Sequence, residues 1–215
     1  MSEHNSANSF TIAEEIWHAI THGLGLALSI AGLAILVAFA TLHGSVIAIV
    51  SSAIYGSTLI IMYGSSTLYH AITHHDIKKV FQKFDHASIY ILIAGTYTPV
   101  TLITLGGVWG WTIFSIVWGV SIIGIYLKFA YPNRFEKLSL VLYLFLGWII
   151  VIATKPMMEN MESGGLWLLL AGGLSYTFGI IFYVKDYLPY YHAIWHLFVL
   201  GGSILHYFMI LLYTI

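Results

Sequence analysis

The strongest constraint on the fold is the length of the uncharged stretches. Asp, Glu, Lys and Arg are absent between Glu15 and Asp76, between Asp85 and Lys128, and after Asp186. Each stretch exceeds the roughly 20 apolar residues that one helical membrane crossing needs. The sequence therefore predicts an integral membrane protein.

Composition agrees and excludes several classes of function. Hydrophobic residues make up 59% of the chain and charged residues 8%, whereas about a quarter of a soluble domain is charged. A net charge of -1 provides no basic surface, so nucleic-acid binding is not expected. The chain has no cysteine, which removes disulfides, thiolate metal sites and cysteine nucleophiles.

Seven helices are predicted when the apolar runs are divided at charged and turn-forming residues. They cover roughly residues 16–40, 46–69, 87–105, 108–127, 138–154, 166–184 and 190–213. Only glycines in "TLGGVWGW" separate the third helix from the fourth, but residues 86–127 are too many for one crossing and enough for two. We expect an all-α seven-transmembrane helix bundle, with residues 1–215 as one membrane domain and a short polar tail over about residues 1–13.

The loop charges predict the orientation of this bundle. The basic residues of one side outnumber those of the other by seven to one: Lys78, Lys79, Lys83, Lys128, Arg134, Lys137 and Lys185 against Lys155. The positive-inside rule then places the N-terminus in the cytoplasm and the C-terminus outside. We expect a multi-pass protein of the plasma membrane. Its compact loops favour a bacterial inner membrane. The longest connection, "AITHHDIKKVFQKFD", is expected to lie amphipathically on the membrane surface.

Polar residues recur at the predicted cytoplasmic helix ends. Those at the starts of the first, third and seventh helices and the end of the second are Glu15, His18, His22, Asp85, His86, His192, His196, Ser66 and His70. Residues three or four apart share a helix face, so four helix ends could direct polar groups into one cavity. Ionisable groups in a membrane are costly and are by default functional candidates.

The His192-x-x-x-His196 spacing presents two imidazoles to one ion, and His70 is the best third ligand by position. Zinc held by three histidines is the preferred interpretation, although imidazole also suits copper, iron or nickel. The alternatives are that the histidines only hydrogen-bond, that Ser66 bonds to its own helix and that Asp85 is an N-cap. Surface roles are expected for His43, His74 and His75, and an interhelical hydrogen bond for His206.

Four segments in order, "EEIWHAITH", "SSTLYH", "FDHASIYILIAGTYTP" and "HAIWH", resemble the progestin and adiponectin receptor family, most closely its bacterial haemolysin III-like branch. The resemblance runs from about Glu14 to His206. It implies zinc on His70, His192 and His196, with Asp85 touching the water bound there.

The first-helix motif of that family is matched by Glu15, Thr21 and His22, which are expected to support the ligands. His18, which stands where the family usually has Asn, is expected to join this supporting set. It leaves open whether the first helix only supports the site, because His18 and His22 could offer a second metal-binding pair, for which no third ligand is evident.

Three functions follow as expectations. Zinc with an open fourth position activates water, Asp85 could act as general base and then acid, and Ser66 could stabilise the oxyanion. Together these roles predict a zinc-dependent lipid amide or ester hydrolase, ceramidase-like because the family is grouped with alkaline ceramidases, acting in membrane-lipid homeostasis. The alternatives are a lipid-responsive sensor with structural zinc and a pore-forming or membrane-perturbing protein. A membrane lipid is the expected ligand or substrate, and no protein partner is predicted.

Overall fold

A computed structural model describes residues 10–132 and 134–215. Within these ranges, seven helices are long and apolar enough to cross a membrane. They are α1 Ile12–His43, α2 Val46–Ala71, α3 His75–Leu105, α4 Gly107–Ala130, α5 Glu136–Asn160, α6 Ser163–Val184 and α7 Tyr191–Tyr213. The predicted all-α, seven-helix class is confirmed.

The start of α1 is set by a capping box. The Thr11 hydroxyl accepts from the Glu14 amide, and the Glu14 carboxylate accepts from the Thr11 amide. This pairing satisfies two amides that a helix N-terminus otherwise leaves free. The helix therefore begins at Ile12, earlier than the predicted residue 16, and the expected polar tail is helical at its end. Residues 1–9 of that tail lie outside the described residues.

The start of α3 corrects the sequence prediction. The segment expected as a surface connection is helical from His75, and Ile72, Thr73 and His74 form the whole link from α2. Lys and Gln are good helix formers, so α3 continues beyond its apolar part. Asp85 consequently lies about three turns inside α3. The proposed N-cap role is wrong, because His74 precedes the first turn.

Irregular backbone occurs at two other predicted boundaries. After Pro99, α3 ends in a π-helical turn, and Gly106 and Gly107 adopt positive φ angles of 59° and 49°. Glycine takes such angles without steric cost, so the predicted break between the third and fourth helices is confirmed. In α5 a 3-10 segment, Ile149–Ala153, joins two α-helical parts, and the helix continues to Asn160 instead of ending near residue 154.

The helices pack mainly against their sequence neighbours, and contacts of α1 with α7 bring the first and last helices together. Small residues permit close approach, as is usual between membrane helices. A Cβ on Gly25 would lie 2.5 Å from the Tyr63 ring, and one on Gly202 would lie 2.8 Å from the Tyr176 ring. The N-terminal ends of α1 and α7 thus meet the C-terminal end of α2, where the candidate ligands were predicted.

Candidate metal centre

Five histidines from three helices lie in ring contact at this end of the bundle. His18 and His22 come from α1, His70 from α2, and His192 and His196 from α7. All are buried except His192, which is partly buried. An apolar bundle rarely collects so many polar rings without a function for them.

Three of these histidines form the group that the sequence predicted. One ring nitrogen from each of His70, His192 and His196 lies within 4.8 Å of the others, a spacing that could hold a metal ion. Among the described residues, buried His70 Nε2 and His192 Nδ1 have no hydrogen-bond partner. Buried polar atoms almost always have one. Imidazole nitrogens from three residues around one point are a donor set that zinc and related ions prefer.

Glu15 orients His70. Its Oε2 lies 2.6 Å from His70 Nδ1, and its Oε1 lies 2.9 Å from Lys78 Nζ. The carboxylate acceptor keeps the proton on Nδ1 and leaves the Nε2 lone pair free. A carboxylate behind a histidine ligand is a common arrangement at metal sites, and it raises the basicity of the ligand.

His196 is oriented by α1. Its Nδ1 lies 3.1 Å from Thr21 Oγ1 and 3.2 Å from the His18 carbonyl oxygen. The carbonyl can only accept, so Nδ1 donates and the Nε2 lone pair is free for an ion. Glu15 and Thr21, both predicted as supporting residues, therefore each contact a different candidate ligand.

The two remaining histidines differ in their positions. The ring of His22 stacks on that of His196, with centroids 3.5 Å apart and planes inclined by 10°. His18 groups with Glu15 and His70, again within 4.8 Å. No converging group among the described residues contains both His18 and His22, so the structure does not assemble the second pair that the sequence left open.

Ser66 and Asp85 meet across α2 and α3. The Ser66 hydroxyl is fully buried and lies close enough to the Asp85 carboxylate to interact with it. This contact replaces the alternative in which Ser66 bonds only to its own helix. Asp85 belongs to neither converging group of the described chain, so it is not one of the candidate ligands.

Three contacting residues were not identified from the sequence. Lys78 was counted only among the basic residues that predict the orientation of the bundle, yet its ammonium group pairs with the Glu15 carboxylate. The Glu14 carboxylate accepts from the Tyr190 amide and so ties α1 to the residue before α7. Phe10 packs its ring against His18 and His192. The Glu14-Glu15 pair was the available signal, since adjacent carboxylates on a helix point to different neighbours.

The other predicted histidines lie away from this cluster. His206 Nε2 is 3.1 Å from the Leu169 carbonyl oxygen, which confirms the expected interhelical hydrogen bond. His43, His74 and His75 are exposed. His86 lies 3.6 Å from the Glu136 carboxylate, on the side of α3 that faces α5.

Two adjoining apolar cavities begin one helical turn from the cluster. Their volumes are about 130 and 430 Å³, and both are lined by Thr96, Tyr97, Trp148 and His206. The smaller cavity is also lined by Met62, Ile89 and Val199. Each of these residues lies one helical turn deeper in the bundle than a polar residue of the same helix: Ser66 in α2, Asp85 in α3 and His196 in α7. An apolar space thus lies directly below the polar cluster.

Fold and site together define a multi-pass, seven-helix membrane protein with a histidine cluster able to hold a metal ion. The family model described as Haemolysin-III related matches residues 10–207. The chain belongs to this family.

Named relatives agree with this assignment. Hemolysin-3 of Bacillus cereus is 46% identical over 215 residues, covering 100% of this chain and 98% of that protein. The Hemolysin-3 homolog of Bacillus subtilis (strain 168) is 47% identical over 206 residues, covering 96% and 97%. The human monocyte to macrophage differentiation factor is 29% identical over 163 residues, covering 73% and 67%.

Proposed function

We propose that this protein is a zinc-dependent membrane hydrolase that cleaves an amide or ester bond of a lipid and acts in membrane-lipid homeostasis. The observation that carries the proposal is the convergence of His70, His192 and His196 within 4.8 Å, together with the contact between buried Ser66, one turn before His70, and partly buried Asp85. Three histidines without a cysteine or carboxylate are a ligand set of catalytic zinc. Zinc bound there would polarise the scissile carbonyl and activate water.

The chain's own residues supply the remaining roles. Asp85 accepts a proton from the attacking water and later donates it to the nitrogen or oxygen that leaves when the acyl bond breaks. Ser66 donates a hydrogen bond to the oxygen on which negative charge develops. The Ser66–Asp85 contact keeps both groups on the same side of the cluster, and Glu15 and Thr21 hold His70 and His196 in position.

The substrate class follows from what adjoins the cluster. The cavities below it are lined mainly by apolar and aromatic side chains, which suit an acyl chain and not a polar solute. An acyl chain lying there would place its carbonyl near the polar end of the bundle. The head group would then extend toward the membrane surface.

The test is the release of free fatty acid from lipid amides and esters, measured by mass spectrometry on protein in lipid bicelles. Asp85→Asn should abolish release, and Asp76→Asn is the matched control because the Asp76 side chain is 82% exposed at the start of α3. Absence of release by wild type, or release retained by Asp85→Asn, would contradict the hydrolase. The first outcome would favour the sensor with structural zinc, since the histidines also join α1, α2 and α7.

We further propose that the histidine end faces the cytoplasm of a bacterial cell. The support is the basic charge at this end, where Lys78 and Lys185 lie, against Lys155 at the other. A chain without cysteine allows single-cysteine labelling. Lys155→Cys should react with an impermeant maleimide on intact cells and Lys137→Cys only after lysis; the reverse pattern would contradict this orientation.

A further inference from the structure

The ring of His18 lies among the rings of the three candidate ligands. Its centroid is 4.6 Å from that of His70, 4.8 Å from that of His192 and 5.4 Å from that of His196. The other three separations are 5.3 Å for His70–His192, 5.2 Å for His70–His196 and 4.7 Å for His192–His196. All six separations are similar, so the four rings occupy the corners of a nearly regular tetrahedron.

That spacing is the one expected around a single ion. Zinc bound tetrahedrally by imidazole nitrogens at about 2.0 Å places the ring centroids about 5 Å apart. His22 does not fit this pattern, because its ring is parallel to that of His196 at 3.5 Å. The arrangement of its ring thus distinguishes His22 from the other four histidines.

The burial of His18 is a second, independent observation. Its exposed fraction is 0%, and neither ring nitrogen has a hydrogen-bond partner in the described part of the chain. The ring is enclosed by the other imidazoles and by the Phe10 ring, whose centroid is 4.7 Å away and whose plane is inclined by 81°. Two unpartnered nitrogens at full burial are costly, and a metal ion at the centre of the tetrahedron would satisfy one of them.

We propose that His18 is a fourth ligand of this metal centre, so that the resting protein binds its ion through four imidazoles. The proposal rests on the metal centre of the proposed function. His18 now groups with Glu15 and His70, so its ring must turn to present a nitrogen to the centre. The position that a three-histidine site leaves to water is then occupied, and His18 must dissociate before water can bind there.

Cobalt(II) is the probe, because its visible absorption reports coordination number and ligand type. Wild type, His18→Asn and His22→Asn are loaded with cobalt(II) in detergent and titrated with azide, a small anion that binds open positions. Wild type and His22→Asn should show no azide-dependent spectral change, whereas His18→Asn should show one. The cobalt affinity of His18→Asn should fall by about 100-fold or more, because it loses a ligand and not only an outer partner.

X-ray absorption on the cobalt-loaded wild type gives a readout that does not depend on any variant folding. Four imidazoles support the proposal. Three imidazoles with an oxygen ligand, azide binding to wild type, or no cobalt binding at all overturn it. The hydrolase fails separately, if a four-imidazole wild type releases no fatty acid from any lipid tested.

Discussion

Replacing Glu15 tests how the protein prepares His70 for a metal ion. The carboxylate lies 2.6 Å from His70 Nδ1, its side chain is 19% exposed, and Lys78 holds its other oxygen at 2.9 Å. Short charge-assisted hydrogen bonds of this kind are about twice as strong as neutral ones. Loss of such a partner typically reduces metal affinity 10–100-fold, or about 1.4–2.7 kcal/mol.

The two substitutions at this position should differ. Glu15→Gln keeps an oxygen that can accept from Nδ1 but removes the charge, so a loss of about tenfold is expected; Glu15→Ala removes the acceptor, so a loss near 100-fold is expected. Zinc affinity is measured in detergent by competition with a chromophoric chelator. Glu14→Gln is the matched control, because the Glu14 carboxylate contacts Thr11 and the Tyr190 amide. Unchanged affinity in Glu15→Ala, or an equal loss in Glu14→Gln, would refute this role for Glu15.

Three further variants should change stability, as measured by thermal unfolding in detergent. Gly124→Ala should destabilise the bundle by about 1–3 kcal/mol, because its Cβ would lie 2.3 Å from the Tyr90 ring. Gly119→Ala is the control and should not destabilise it, because a Cβ there meets nothing within 4 Å. Equal effects of the two substitutions would contradict this packing. Ser203→Ala should cost about 1–2 kcal/mol, since its hydroxyl bonds the hydroxyls of buried Tyr63 and partly buried Tyr176. A neutral result would exclude that network. His206→Ala should lower stability by removing an interhelical hydrogen bond but keep the bound metal, and loss of metal would place His206 in the centre.

The helix count could be predicted from the sequence because uncharged length alone decides it. The same signal failed at α3, where helix propensity carries the charged residues from Lys78 to Asp85 into the helix beyond the apolar span. The 3-10 segment of α5, Ile149–Ala153, is as apolar as the helix around it, so hydropathy could not predict it. Helix boundaries thus depended on local backbone preferences that hydropathy does not report.

At the site, helical spacing identified which histidines share a face, and His70, His192 and His196 do converge. Spacing within one helix carries no information about the distance between helices, so the tetrahedral position of His18 could not be predicted. The pairing of Glu15 with Lys78 was missed for the same reason. It joins α1 to α3, which meet only in the folded bundle.

The metal content of detergent-purified protein, measured by elemental mass spectrometry, tests the central claim most directly. Wild type should contain about one zinc per chain, His192→Ala should contain none, and His206→Ala, which changes a buried histidine outside the cluster, should retain it. Wild type without metal, or His192→Ala with its zinc intact, would contradict a metal centre built from His70, His192 and His196.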